Sequence, residues 1–322
     1  YALAISLYGN LDNQQVMAFV RADKFARGDF RLPEKGKTFW SCPDRGRRSV
    51  NTVTKRIITS LITAPSVLAL LFFAKRGDFP WAVGIFLALS AAIGTGEFCA
   101  LIQESGIKVR VVPTSILAGL AFFAYSFFGP EHGNLIGTST LLVAVISNLG
   151  RRSNKENFKA VLAAILGLVY VPGLLHYFYL IYLAESGIIH AINLLLIVWG
   201  YDSGAYIFGS FFGNHKLVPD ISPNKTIEGV AGGLIIGFLG ASLSPVWVPY
   251  VKWLPHIAVL AVLVGLATQL GDLTESWFKR LAGEKDSGKL FPGHGGILDR
   301  IDGLLLALPV FYFYFHFILK FV

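Results

Sequence analysis

A dense polar island, Gln269 to Asp302, separates two apolar runs near the end of the chain. Within it Asp272, Glu275, Ser276 and Lys279 recur at three- and four-residue spacing, so they share one face if the apolar helix before them continues. Asp299 and Asp302 are also three apart and lead directly into the last apolar run. Gly283, Gly288, Gly293, Gly295 and Gly296 lie between the two groups. Glycines at that density let backbone N–H groups approach an anion closely. Carboxylates on two helix ends, joined by a loop bearing glycine and lysine, suit a divalent metal carrying phosphates. Mg²⁺ in particular takes a few carboxylates and leaves its other positions to water and substrate oxygens. The plainer reading of Asp272, Asp299 and Asp302 is a set of solvated acids capping helices near Lys279 and Arg300. Three acids at the mouths of two adjacent apolar runs favour the metal.

The elements that must position these residues are membrane helices. Hydrophobic residues make up 54% of the 322-residue chain and charged residues 15%. The mean hydropathy of +0.58 is too high for an ordinary soluble domain. Nine apolar segments can be traced, at about 57–74, 80–103, 111–128, 134–149, 160–183, 188–209, 229–250, 255–271 and 303–321. Most are near the ~20 residues that a helix needs to cross a bilayer. The runs are continuous rather than alternating, which excludes a closed β-barrel. The expected fold is therefore all-α and polytopic, with about nine transmembrane helices. Val171-Pro172-Gly173 predicts a kink in the fifth span rather than a break into two half-spans. With the N-terminus in the cytosol, every Lys and Arg except Lys75, Arg76, Lys252 and Lys320 falls on the cytosolic side, a strong positive-inside signal. That basic face would also attract anionic lipid headgroups. Residues 1–54 read as a polar, basic, weakly structured cytosolic tail, or alternatively a targeting extension, and 55–322 as the transmembrane domain. Cys42 and Cys99 form no disulfide framework and no metal-ligand spacing. No Walker-type loop, dinucleotide fingerprint or nucleic-acid motif is present.

Two acids fall inside the spans. Asp202, with Ser203 and Tyr206 near it, is a functional candidate because an acid at membrane depth is costly. It reads equally as a hydrogen-bonded brace between helices. Glu97 carries the same ambiguity with weaker neighbours. Lys279 and Arg280 are adjacent and cannot share a helix face. Lys279, seven residues after Asp272, is the one expected to point into the site. Pro292-Gly293-His294-Gly295-Gly296 reads as a tight, phosphate-facing loop.

The run from Ser276-Trp-Phe-Lys-Arg through Lys285-Asp-Ser-Gly and Pro292-Gly-His-Gly-Gly to Asp299-Arg-Ile-Asp302 resembles the signature of the phosphatidate cytidylyltransferases, or CDP-diacylglycerol synthases. The resemblance extends to Asp202-Ser-Gly-Ala-Tyr206 and to Ile221-Ser-Pro-Asn-Lys-Thr-Ile-Glu-Gly229, covering the chain from Lys55 onward. It implies a membrane enzyme that joins CTP and phosphatidate into CDP-diacylglycerol and pyrophosphate. It assigns Asp272, Asp299 and Asp302 to Mg²⁺, with room for a second metal ion, and counts them with Lys279 as catalytic. Asp202, Ser222, Lys225, His294, Gly295, Gly296 and Arg300 are placed on the substrate side, and Arg280 near the phosphatidate headgroup. His294 is not assigned as a general base, because a phosphate monoester needs little deprotonation near neutral pH. Two positions depart from the usual pattern: Ser210 and Asn214 stand where basic residues are common, which thins the charge around the nucleotide. The location expected is a bacterial inner membrane, with an organellar membrane as the alternative and the site facing the cytoplasm, and a homodimer is compatible with the sequence. A rival reading is a CTP-dependent polyprenol or phytol kinase, which would release CDP. A rival from another class is a cation-coupled transporter relaying charge through Asp202 and Glu97, against which stands the absence of an internal repeat.

Overall fold

The structure is a computed structural model that describes residues 65–149, 155–243, 254–288, 290 and 295–319. The expected tail, the start of the first apolar segment and His294 lie outside the described residues. The chain is mostly helical. In order, α1 covers residues 65–76, α2 is Trp81–Glu104, α3 Val111–Phe128, α4 Gly133–Asn148, α5 Lys155–Tyr170, α6 Pro172–Leu183 and α7 Gly187–Phe212. A hairpin of β1 (Lys216–Val218) and β2 (Ser222–Thr226) follows, then α8 (Ile227–Ser242), α9 (Leu254–Leu281) and α10 (Leu298–Phe313). A π-helical turn, Tyr314–Leu319, extends α10.

Six segments among the described residues are long and apolar enough to cross a membrane: α2, α3, α5 joined to α6, α7, α9, and α10 with its π turn. The expectation of nine crossings is met here only in part. α4 and α8 are apolar, but each has 16 residues, roughly 24 Å of helix against a hydrocarbon core of about 30 Å. The outward side chains suit lipid rather than water: Phe211 is 80% exposed and Leu135 70%. At the proline the fifth span divides into α5 and α6, interrupted at Val171 alone. Val171 N–H still donates to Gly167 at 3.0 Å and Leu175 N–H to Val171 at 2.9 Å, so the helical ladder runs past Pro172. The segment from Lys216 to Gly229, read from sequence as a loop, contains the antiparallel hairpin instead, with Lys216 opposite Thr226 and Val218 opposite Ser222. The Thr226 hydroxyl then caps α8 by accepting from Gly229 N–H at 3.1 Å.

Two boundaries matter for the site. α9 continues ten residues beyond the apolar run that predicted it, carrying Asp272 to Arg280 on helix. α10 begins at Leu298, so Asp299 and Asp302 lie in its first two turns rather than before it. Between them the two helices meet glycine to glycine. A Cβ on Gly271 would strike the Asp302 carbonyl, and one on Gly303 would lie 2.8 Å from the Thr268 methyl. Small residues at such crossings let backbones approach where no hydrophobic force drives helices together in lipid. The same device joins α7 to α8, where a Cβ on Gly200 would sit 3.0 Å from the Ile236 carbonyl.

Replacing Gly271 with Ala should therefore push α9 off α10, at the ~1–3 kcal/mol typical of overpacking. The detergent-solubilised variant should melt several degrees below the parent and lose turnover. Gly137→Ala, where the added Cβ meets nothing within 4 Å, should leave both unchanged. Equal melting curves for the two variants would remove the close crossing as a constraint.

Candidate active site

The close crossing brings the polar end of α9 against the start of α10. As the spacing predicts, Asp272, Glu275, Ser276 and Lys279 lie along one side of α9. Ser276 Oγ donates to Asp272 Oδ1 at 3.2 Å. Lys279 Nζ reaches Glu275 Oε2 on its own helix at 3.0 Å and Asp299 Oδ1 on α10 at 2.8 Å. This ammonium is 12% exposed and the Glu275 side chain is fully buried. Glu275 also faces Asp302 on α10. Two buried carboxyl groups that face each other need a proton or a cation between them. The other Glu275 oxygen, Oε1, is buried without a partner. Asp302 Oδ1 further accepts from Gly303 N–H at 2.7 Å.

The hairpin supplies the second cation. Lys225 Nζ, on β2, lies 2.7 Å from Asp272 Oδ2. Asp202, on α7, is exposed, with Asp302, Asp272 and Lys225 the charged groups nearest it in effect. Thus Asp202, Lys225, Asp272, Lys279, Asp299 and Asp302, scattered over a hundred residues of sequence, meet at one end of the bundle. Here the carboxyl groups outnumber the lysines. Yet among the described residues no three acidic, histidine or cysteine side chains are already drawn together around a metal position. Asp272 is turned to Lys225, and Asp299 to Lys279.

The remaining expected residues are placed as follows. Ser222 opens β2, half-buried. Arg280 leaves the acidic face: its Nε donates to the Ile221 carbonyl at 3.1 Å and its guanidinium to Glu284 at 3.2 Å, which ties the end of α9 to the hairpin turn. Arg300 is exposed in the first turn of α10. Gly295 has a φ of +78°, a left-handed backbone, and a Cβ there would strike the Asp299 carboxylate. Gly296 N–H donates to Asp299 Oδ2 at 2.7 Å. Both glycines therefore pack against a carboxylate of the chain itself.

Three residues outside the expected set belong to this assembly. Glu275 stood on the predicted face but was given no role. Ser287 has no expected role; its N–H donates to Asp299 Oδ2 at 2.9 Å, and its Oγ lies 2.8 Å from the same oxygen. Glu97, left ambiguous in the sequence, accepts from Ile297 N–H at 3.1 Å and Leu298 N–H at 2.8 Å, and it shares the one Ser287 hydroxyl proton with Asp299, its oxygen lying 3.2 Å from Ser287 Oγ. Only the acid's position inside an apolar span pointed to it, since all of its partners lie about two hundred residues away.

Comparison with known proteins bears directly on this arrangement. The cytidylyltransferase family matches residues 54–318. The phosphatidate cytidylyltransferase of Bacillus subtilis strain 168 is 34% identical over 272 residues, covering 80% of this chain and 96% of that protein. That of Staphylococcus epidermidis strain ATCC 35984 is 39% identical over 208 residues, covering 65% of this chain and 71% of the relative. For the Staphylococcus saprophyticus enzyme of the same name the figures are 40% over 157 residues, 49% of this chain and 60% of the relative. With a match that spans every helix described above, the chain belongs to the cytidylyltransferase family.

Proposed function

We propose that this end of the bundle transfers a cytidylyl group from CTP to phosphatidate, giving CDP-diacylglycerol and pyrophosphate. In this transfer a phosphate oxygen of phosphatidate attacks the α-phosphorus of CTP. The bond from that phosphorus to the bridging oxygen of pyrophosphate breaks, and the electron pair leaves with pyrophosphate. Two polyanions must be brought together, and charge builds on the leaving oxygen. The observation that carries the reading is the pair of lysines held on carboxylates, Lys225 on Asp272 and Lys279 on Glu275 and Asp299. Each is a poised phosphate ligand at the polar end of membrane-crossing helices. The lipid would enter sideways between helices, and CTP from water.

The donor set fits Mg²⁺ in kind. It is all carboxylate oxygen, it exceeds the lysines in charge, and it includes the unpartnered buried oxygen of Glu275. Asp272, Asp299 and Asp302 would hold the ion. Once bound, it would neutralise phosphate charge and the developing charge on the leaving oxygen. Lys279 orients and neutralises phosphate oxygens from within the bundle, and Lys225 does so from the hairpin. A carboxylate that gives up a lysine to incoming phosphate gains a free oxygen for a cation.

We further propose nine crossings, with α4, α8 and the segment ending in α1 added to the six long helices. The N-terminal tail and the site would face the cytoplasm, in a bacterial inner membrane. Residues 55–322 would form the catalytic unit.

Purified protein given CTP and phosphatidate should release CDP-diacylglycerol and pyrophosphate. CDP as the nucleotide product would instead indicate kinase chemistry. Asp299→Asn and Asp302→Asn keep size but remove charge, and each should lower turnover by at least ~100-fold, about 3 kcal/mol of transition-state stabilisation. A Mg²⁺ titration with a melting curve on the same samples makes the check. A folded variant working near the parent rate at ordinary Mg²⁺ would take these acids out of the metal site.

Orientation is checked separately. In a background without Cys42 and Cys99, single cysteines at the exposed positions Lys155, Lys216 and Lys285 should be labelled only from the cytoplasmic face. One at Glu131 should be labelled only from the other. Labelling of positions 155 and 285 from opposite faces would break the nine-crossing arrangement.

A further inference from the structure

We propose that Glu97 is a positioning residue for the transfer, holding the start of α10 and the Ser287 loop so that Asp299 and Lys279 face the reacting phosphates. The proposal rests on the cytidylyl-transfer reading above. Glu97 belongs to α2, a span that contributes no other carboxylate to the site. Its two oxygens accept from Ile297 N–H and Leu298 N–H, the residue before α10 and its first residue. Those N–H groups have no partner within the helix, and an anion there also meets the positive end of the helix dipole. Ile297 itself makes no side-chain cap, so the cap comes from another span. The same carboxylate lies 3.2 Å from Ser287 Oγ and shares that hydroxyl's one proton with Asp299, while Ser287 N–H goes to Asp299 alone.

Ser287 then passes the constraint on. Its N–H and Oγ hold Asp299 Oδ2, while Asp299 Oδ1 holds Lys279. A continuous chain of hydrogen bonds thus runs from α2 through the loop to the buried lysine. The loop glycines have a corresponding task. A Cβ on Gly288 or on Gly296 would run into the Glu97 carboxylate. These two glycines clear the space that the carboxylate fills. A carboxylate is required in this role: an amide at position 97 has one accepting oxygen for three donors, and its NH₂ would oppose the N–H groups of α10.

The test uses the full chain in detergent. Glu97→Gln should lower kcat by about 30-fold, within the range that misplacement of reacting groups produces. KM for CTP should stay within about threefold, because the residue touches no substrate. The melting temperature should change by only a few degrees. Amide exchange at Ile297 and Leu298 should accelerate. Since both act through one chain of bonds, Glu97→Gln combined with Ser287→Ala should be no slower than the slower single variant. Gly288→Ala, which retains Glu97 but crowds its carboxylate aside, gives a second route to the same loss should Glu97→Gln fail to fold. Parent-like kcat in either folded variant overturns the proposal, as does simple additivity with Ser287→Ala. A parent that makes no CDP-diacylglycerol would instead sink the reaction assigned above. Amide exchange would then decide the role of Glu97 by itself, and unchanged exchange in Glu97→Gln would overturn it.

Discussion

The ion pair between Lys279 and Asp299 is the constraint on which the site depends. Lys279 sits among apolar helices, and a buried ammonium is tolerated only when its charge is met. Glu275 from the same helix and Asp299 from the next meet it together. Removing one partner from such a group typically costs about 3–5 kcal/mol, because the other charge is left buried and alone. The pair therefore fixes the register of α9 against α10 more sharply than apolar packing could. Lipid tails are as apolar as leucine and give membrane helices little reason to prefer one register. The glycine crossing at Gly271 and Gly303 allows the backbones close enough for the side chains to reach. Site chemistry and helix packing thus share one set of atoms.

Much of this was legible from spacing. Asp272, Glu275, Ser276 and Lys279 repeat with the helical period, so continuing α9 past its apolar stretch was enough to align them. Asp299 and Asp302 followed by the same argument. What spacing could not convey was which donor each acid would face. Glu97 is bonded to backbone N–H groups of Ile297 and Leu298, and backbone groups leave no mark in a sequence. The glycines show the same gap. Their density announced a close approach of an anion, and at Gly288, Gly295 and Gly296 the anion that approaches is the chain's own Glu97 or Asp299. Composition cannot distinguish a ligand's phosphate from a carboxylate on a distant helix.

The spans divide along similar lines. Hydropathy located the apolar helices well, because burial in lipid demands continuous helices whatever the function. It placed their ends poorly where function intrudes. α9 and α10 extend into the polar island because charged residues at helix ends can still be helical when neighbouring charges satisfy them. The hairpin was hidden for a different reason: β1 and β2 are only three and five residues long, too short for an alternating pattern to register. Its importance lies in Lys225, which the strand pairing holds over Asp272.

The arrangement also explains why a site so rich in carboxylates can exist before substrates arrive. Asp272, Asp299, Asp302, Glu275 and Asp202 crowd acidic groups together, and the lysines offset the charge that crowding concentrates. The two lysines are held differently. Lys279 is enclosed, braced by two acids and, through Asp299 and Ser287, tied to Glu97. Lys225 has one acid and stands on a short hairpin. In the proposed transfer, incoming phosphate would compete with a single carboxylate for Lys225 but with two for Lys279. The weaker attachment would therefore yield first, uncovering Asp272 while the Lys279 side of the site keeps its shape. A fixed half and an exchangeable half meet the two demands of the reaction, since one polyanion must be admitted and the other must find its phosphate already aligned.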